Sequence, residues 1–387
     1  MTKQLLILAA SCWLAASALT GCSDKAPHIS ADGALNVEAL LNNSTGNLSL
    51  ENAGYDIAPV CLETTDSSML PKSAHIIEIT DSDIFVSGDA MIYRFDSNGR
   101  FKNVIGQKGQ GPMEHSRLYS CNIDAPSDRV FINSGNGRIL VWTTDGQPVS
   151  ELTLASDGGY MGMVNGMADG YWAEERKMTD AGYDIDIVWF DESGNRIRTQ
   201  NILRLDVAES PNYLPAPIVK KDGDVYFIYN NFNSCLYSVT ADSAAVVQEL
   251  DLGNYAPDLN RLGDMDYRNT SRESTAEVLD FYLTESEIGL FMRKGSSFWM
   301  TIADRTTGEP VLSHEIDNPR RGGGLKLREG SGMKVLPYYS SGDKIYTLYD
   351  AGELDDNDIA WINNRVKSNS SPLSADANPI VIVMERK

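Results

Sequence analysis

Histidine and cysteine are scarce: the chain has four histidines and five cysteines among 387 residues. His28, His75, His115 and His314 hold unrelated places in the pattern described below, so a metal site built from several imidazoles is not expected. Cys61, Cys121 and Cys235 lie far apart with no paired spacing, and read as small buried apolar residues rather than a disulfide frame. Basic residues are also few, 33 against 54 acidic, giving a formal net charge of −21. That balance argues against nucleic acid or an anionic membrane face as a partner. A G-x-S-x-G nucleophile elbow is missing. Leu354–Asp358 is acidic but lacks the glycine and glutamate of a calcium loop. Carboxylate pairs are so common in this chain that none marks an acid–base couple by itself.

Long uncharged apolar runs are absent but for Leu5–Leu19, which falls short of the roughly 20 residues that span a bilayer. Lys3 precedes it, and Leu19-Thr20-Gly21-Cys22 follows it. A basic start, an apolar run and small residues before a cysteine are the order of a bacterial lipoprotein signal. Residues 1–21 are therefore predicted to be a signal peptide, with Cys22 lipidated as the first residue of the mature chain. Residues 22–56 are expected to form a lipid-anchored tether and lead-in. The membrane partner would then be reached through the lipid alone.

What the sequence has in quantity is strands. From residue 57 to 387, apolar and aromatic runs alternate with Gly, Asp, Asn and Ser turns. Turn glycines Gly99, Gly146 and Gly194 recur at intervals of about 48 residues, and Ser243 holds the next equivalent place. Gly308 comes later than this rhythm requires, which puts an insertion near residues 254–280. A second insertion spans about 351–378, where LDDNDIAWINNRVK suggests a short helix. A small antiparallel sheet leaves both faces wet, and stacking such sheets about an axis buries them. The fold class predicted is all-β, a six-bladed β-propeller. The sixth repeat ends in PIVIVMERK without an outer strand. Ile57–Thr64 is expected to supply it, so that N- and C-terminal strands close the last blade. Two-residue turns are expected between the outer strands of each blade.

The stretch GQKGQGP at Gly106–Pro112 raises the question of phosphate binding. It lacks the Lys-Ser/Thr of a P-loop and does not lead from a strand into a helix. The reading adopted is a blade-to-blade crossover, in which Gly106, Gly109 and Gly111 permit the turns and Pro112 fixes the exit, followed by Glu114. The phrase FDSNGRFKNVIGQKGQGPMEH and the ending NPIVIVMERK resemble the six-bladed β-propeller lipoproteins of Bacteroides-type bacteria, related to NHL and TolB-type propellers. That resemblance implies the fold and export, and no settled activity.

In such a ring one face carries the links between second and third strands and the crossovers between blades. There the reading gathers His115, Arg117, Tyr183, Phe232 and Trp361 as a candidate ligand face. Trp361 also suits a plain structural role, packing its helix onto the ring. No catalytic residue, metal or cofactor is expected. The function expected is an envelope protein, at the outer membrane on either side, that binds a ligand, peptide, glycan or protein partner or acts as a scaffold, within an uptake or envelope complex. The alternative is a lyase or hydrolase working in the central channel.

Overall fold

The computed structural model describes residues 33–46, 48–135, 137–167, 169–207, 217–230, 233–261, 273–366, 373 and 376–387. The expected signal peptide and Cys22 lie outside them. Six four-stranded antiparallel sheets follow one another around an axis. Blade 1 comprises His75–Ile79, Asp83–Gly88, Met91–Asp96 and Phe101–Ile105. Blade 2 comprises Ser120–Asp124, Arg129–Gly135, Arg138–Trp142 and Pro148–Thr153. Blade 3 has the longer strands Tyr160–Met167, Gly170–Thr179, Gly182–Phe190 and Arg196–Leu205. Blade 4 comprises Ile218–Asp222, Val225–Asn230, Cys235–Val239 and Ala244–Asp251, and blade 5 Ala276–Leu283, Glu287–Lys294, Ser297–Asp304 and Pro310–Ile316. Blade 6 takes Tyr339–Ser341, Lys344–Tyr349 and Ile380–Arg386 from the C-terminal part, and Tyr55–Cys61 as its outer strand.

Closure pairs Tyr55 with Arg386 through Cys61 with Ile380, without a bulge. The closing strand starts and ends a little earlier than Ile57–Thr64, because the Glu63 N–H leaves the sheet to donate to the Gly99 carbonyl at 2.7 Å. The lead-in is docked rather than free from Ala34 onward. Leu35–Asn36 adds a short parallel strand to the edge of blade 4. Helix Val37–Asn42 then buries Val37, Leu40 and Leu41, and Thr45 bonds Ser313 on the outer strand of blade 5.

Successive side chains in a strand point to opposite faces, and here each face meets another blade. Ile84 and Val86 pack with Tyr346 and Val381 of blade 6, while Phe85 between them packs with Ile132 and Leu140 of blade 2. Tyr171 and Ala173 face blade 2, whereas Trp172 meets Tyr226 of blade 4. Burial on both faces explains why these strands read as continuous apolar runs.

The outer turns of blades 1 to 3 differ from the two-residue form expected, whereas blade 4 keeps it, the Thr240 N–H donating to the Ser243 carbonyl at 2.9 Å. Asp96 N–H donates to the Arg100 carbonyl at 2.8 Å, and Asp96 Oδ1 accepts from the N–H groups of Asn98 and Arg100. The turn thus holds three residues, with Gly99 at φ 83° and a register shift beside it. The aspartate caps amides that a two-residue turn would not leave free. Gly99 is required twice over, since a Cβ there would lie 2.0 Å from the Cys61 carbonyl oxygen of the neighbouring blade. Gly146 approaches Val104 of blade 1 in the same way. At Ser243 a side chain does this docking instead: Gln200 bonds both the N–H and the carbonyl of Ala244.

Candidate functional site

The innermost strands leave one backbone edge facing the axis. In an open sheet such an edge is a pairing site, but here side chains from other blades cover much of it. Ile76 and Ile79 N–H groups donate to the hydroxyls of Tyr338 and Tyr339 at 3.0 and 3.1 Å. Ser340 bonds both backbone groups of Leu283. Asn122 bonds both backbone groups of Gly166, whose carbonyl also accepts from the Tyr226 hydroxyl.

Toward the end of the channel that carries the links between first and second strands, the axis is crossed. Lys221 of blade 4 donates to the Ile123 carbonyl of blade 2, and the Gly342 N–H of blade 6 donates to Asp222 Oδ1 at 3.3 Å. Above these contacts opens a cavity of about 790 Å³, bounded by the innermost strands and by rim residues Asp89, Ala90, Ser116, Arg117 and Tyr119. The result is a cup with a crossed floor and a mouth on the crossover face. Blade 3 stands above blade 4 there: Gly170–Thr179 has 10 residues against 6 in Val225–Asn230. Four extra residues raise that wall by roughly 13 Å.

The charged groups of the cup are unequally satisfied. Lys220 Nζ lies 2.6 Å from Asp280 and over the Tyr338 ring. Lys221, besides its bond to Ile123, lies 3.6 Å from Glu78 Oε2. Glu78 is only 7 % exposed, and its Oε2 has no hydrogen-bond partner. Burial pushes its carboxyl up to about 7 against the pull of Lys221, with Asp222 and Asp124 adding to the rise. His75 faces the cup, and desolvation holds its imidazole below the ordinary value. Among the described residues no group of His, Cys, Asp or Glu could hold a metal ion.

Of the residues expected on a ligand face, Arg117 is exposed at the rim of the cup. His115 is buried at 1 % exposure beneath it, donating Nε2–H to the Ala90 carbonyl at 2.6 Å. That bond steadies a rim turn in which Asp89 and Ala90 both have positive φ. Tyr183 is buried with Ile185 and Leu205 near the top of blade 3 and does not line the cup. Trp361 packs its helix Asp356–Asn363 onto the core between blades 5 and 6, with the Arg328 and Arg365 guanidiniums 5.0 and 4.4 Å from its ring centroid. Phe232 lies outside the described residues. The glycine loop turns its amides inward: Gly111 N–H donates to Glu114 Oε2 at 2.8 Å, and the Gly109 N–H to the His115 carbonyl. A Cβ on Gly109 would collide with the Glu114 carboxylate. Glu78, Asn122, Lys220, Lys221 and Asp280 were not singled out by the sequence. The available hint was a charged residue inside an apolar innermost strand, as in HIIEI.

Fold and cavity together define a six-bladed β-propeller with an axial cavity. The chain belongs to the family described as a domain of unknown function, DUF4934, whose model matches residues 33–385. Its fold is similar to the crystal structure of a protein described as "Putative exported protein" from Bacteroides fragilis, at 17% identity and TM-score 0.63, covering 86% of this chain and 95% of that one. A member of the duf4221 family from Bacteroides vulgatus matches at 9% identity and TM-score 0.45, over 87% of this chain and 98% of that one. No curated protein matches.

Proposed function

We propose that this chain is an exported, lipid-anchored envelope protein that binds a small polar ligand in the cup at the mouth of its channel, without transforming it. The observation that carries this reading is the cup itself, of a size typical for small-molecule sites, with a buried carboxyl oxygen in it that accepts no hydrogen bond. Export is supported by the Leu5–Leu19 run and by the description of the B. fragilis protein of similar fold. The lipid anchor at Cys22 and a place at the outer membrane, serving an uptake or envelope complex, rest on Leu19-Thr20-Gly21-Cys22. The test is native mass spectrometry of the full chain purified from envelopes, beside a Ser116→Trp variant whose indole fills the mouth. A small molecule held by the parent and lost from the variant is expected. An empty parent after incubation with envelope extract would sink the reading. Radiolabelled palmitate should enter the parent and not Cys22→Ala.

A second reading, a lyase or hydrolase in the channel, is favoured by one fact. A buried carboxyl that titrates near 7 beside a lysine suits general acid–base work. It predicts that the retained molecule is converted over time, and that Glu78→Gln binds it unchanged.

A further inference from the structure

Three features of the cup narrow its ligand, and the narrowing rests on the binding role just proposed. The first is Tyr119 at the rim. Its backbone N–H donates to the Asn133 carbonyl at 2.9 Å, and its ring lies on Gly135, where a Cβ would approach to 2.7 Å. Gly135 at φ 99° is itself held by Asn133 Oδ1. One side of the ring is therefore seated on backbone, yet the residue is 58% exposed. Tyr119 also lines the cavity, so an exposed aromatic surface stands at its rim.

The second feature is Glu78 Oε2, on a side chain more than nine-tenths buried and lining the cavity, which accepts no hydrogen bond, its ion-pair partner Lys221 Nζ standing 3.6 Å away. A buried carboxyl oxygen that accepts no hydrogen bond is costly, and a ligand O–H or N–H that reaches it removes the cost. The third is what the cup does not offer. Inner-strand backbone groups at Ile76, Ile79, Gly166 and Leu283 are already bonded by side chains, which removes the edge an extended peptide would add to. Nor do the walls favour a strongly charged ligand, since Lys220 is tied to Asp280 and Lys221 to Ile123 and Glu78.

A ligand rich in hydroxyl groups, with a flat C–H face and little net charge, is a saccharide. We propose that the cup binds a short saccharide of roughly two or three rings, one ring lying on the open face of Tyr119 and a hydroxyl donating to Glu78 Oε2. Arg117, exposed at the rim, supplies donors to the sugar oxygens there.

Isothermal titration of the full chain with maltotriose, cellotriose and chitotriose tests this, with trialanine as the peptide control and trigalacturonate as the charged control. At least one neutral saccharide is expected to bind, and trialanine and trigalacturonate are not. Glu78→Gln and Tyr119→Ala should each weaken that saccharide at least about tenfold, while Tyr119→Phe keeps most of the affinity and all three variants melt as single transitions. Saccharide binding indifferent to both Glu78→Gln and Tyr119→Ala, or trialanine binding as tightly as the best sugar, would overturn the proposal. If no saccharide binds while the parent retains another small molecule that Ser116→Trp excludes, the saccharide assignment falls and the binding role stands. If nothing is retained either, both fall.

Discussion

Glu78 shows how one residue can lie at the centre of a site and stay silent in the sequence. Its neighbours in the chain are isoleucines, as a buried inner strand requires, and its charged partner Lys221 arrives from blade 4. Nothing local pairs the two; ring closure does. The consequence is measurable. The folded carboxyl titrates near 7, above its ordinary 4.5, because burial outweighs Lys221 while Asp222 and Asp124 add to the rise. Between those values the folded state holds a proton that the unfolded state has released. Stability must then fall as pH rises from about 4.5 to about 7, by on the order of 3 kcal/mol. Below that window both states are protonated and the residue contributes no pH dependence. Glu78→Gln should remove this slope, leaving the variant the more stable protein near pH 8 and close to the parent near pH 4.5. Urea denaturation at the two pH values checks it, and equal slopes for parent and variant would refute the buried ionisation. Arg117 was legible because a crossover must lie on the mouth face. Tyr183 and Trp361 share that face in sequence order but are turned into cores, a choice made by packing partners distant in the chain.

At the scale of elements, the outer turns were the most readable feature, since the same physical demands recur in blades 1 to 3. A left-handed residue is needed, and it must come close to the preceding blade. Gly99 meets both demands against Cys61, and Gly146 meets them against Val104. Ser243 escapes both, because its turn holds only two residues with none left-handed and Gln200 makes the bridge, a substitution that no spacing reveals. The two demands are separable by mutation. Gly223 has φ 56° with nothing near its missing Cβ, so Gly223→Ala should cost only about 1 kcal/mol of backbone strain. Gly99→Ala adds a collision with the Cys61 carbonyl and should cost about 3 kcal/mol or more. Denaturation midpoints of the two variants give the comparison. Equal losses would mean that the docking of turn on blade contributes nothing, and that the 48-residue rhythm reflects turn geometry alone.

At the scale of the molecule, closure turns six marginal sheets into one cooperative unit. Each blade has its faces against two others, so a ring opened at one joint exposes two apolar faces at once. The joint that can open lies at Tyr55–Cys61, the one strand of blade 6 supplied from the N-terminal side. It is fastened by a buried cluster: the Tyr55 hydroxyl donates to Glu287 Oε2 at 2.6 Å, and Arg386 lies 2.6 Å from Glu287 Oε1. Two truncations separate the lead-in from the closure. A chain beginning at residue 55 loses the lead-in, whose Leu35, Leu40 and Leu50 are buried against blades 4 to 6, but keeps the closing strand. It should unfold in urea as a single transition at a lower midpoint. A chain beginning at residue 62 lacks the outer strand of blade 6 and the Tyr55 bond to Glu287. It should lose cooperativity, with a reduced m-value and strong binding of an apolar dye, because the face shared by blades 5 and 6 is wetted. The cup should fail with it, since Tyr338 and Tyr339, which hold the Glu78 strand in place, belong to blade 6. A chain beginning at 62 that kept one sharp transition and an unchanged m-value would show that the ring does not depend on its joined ends.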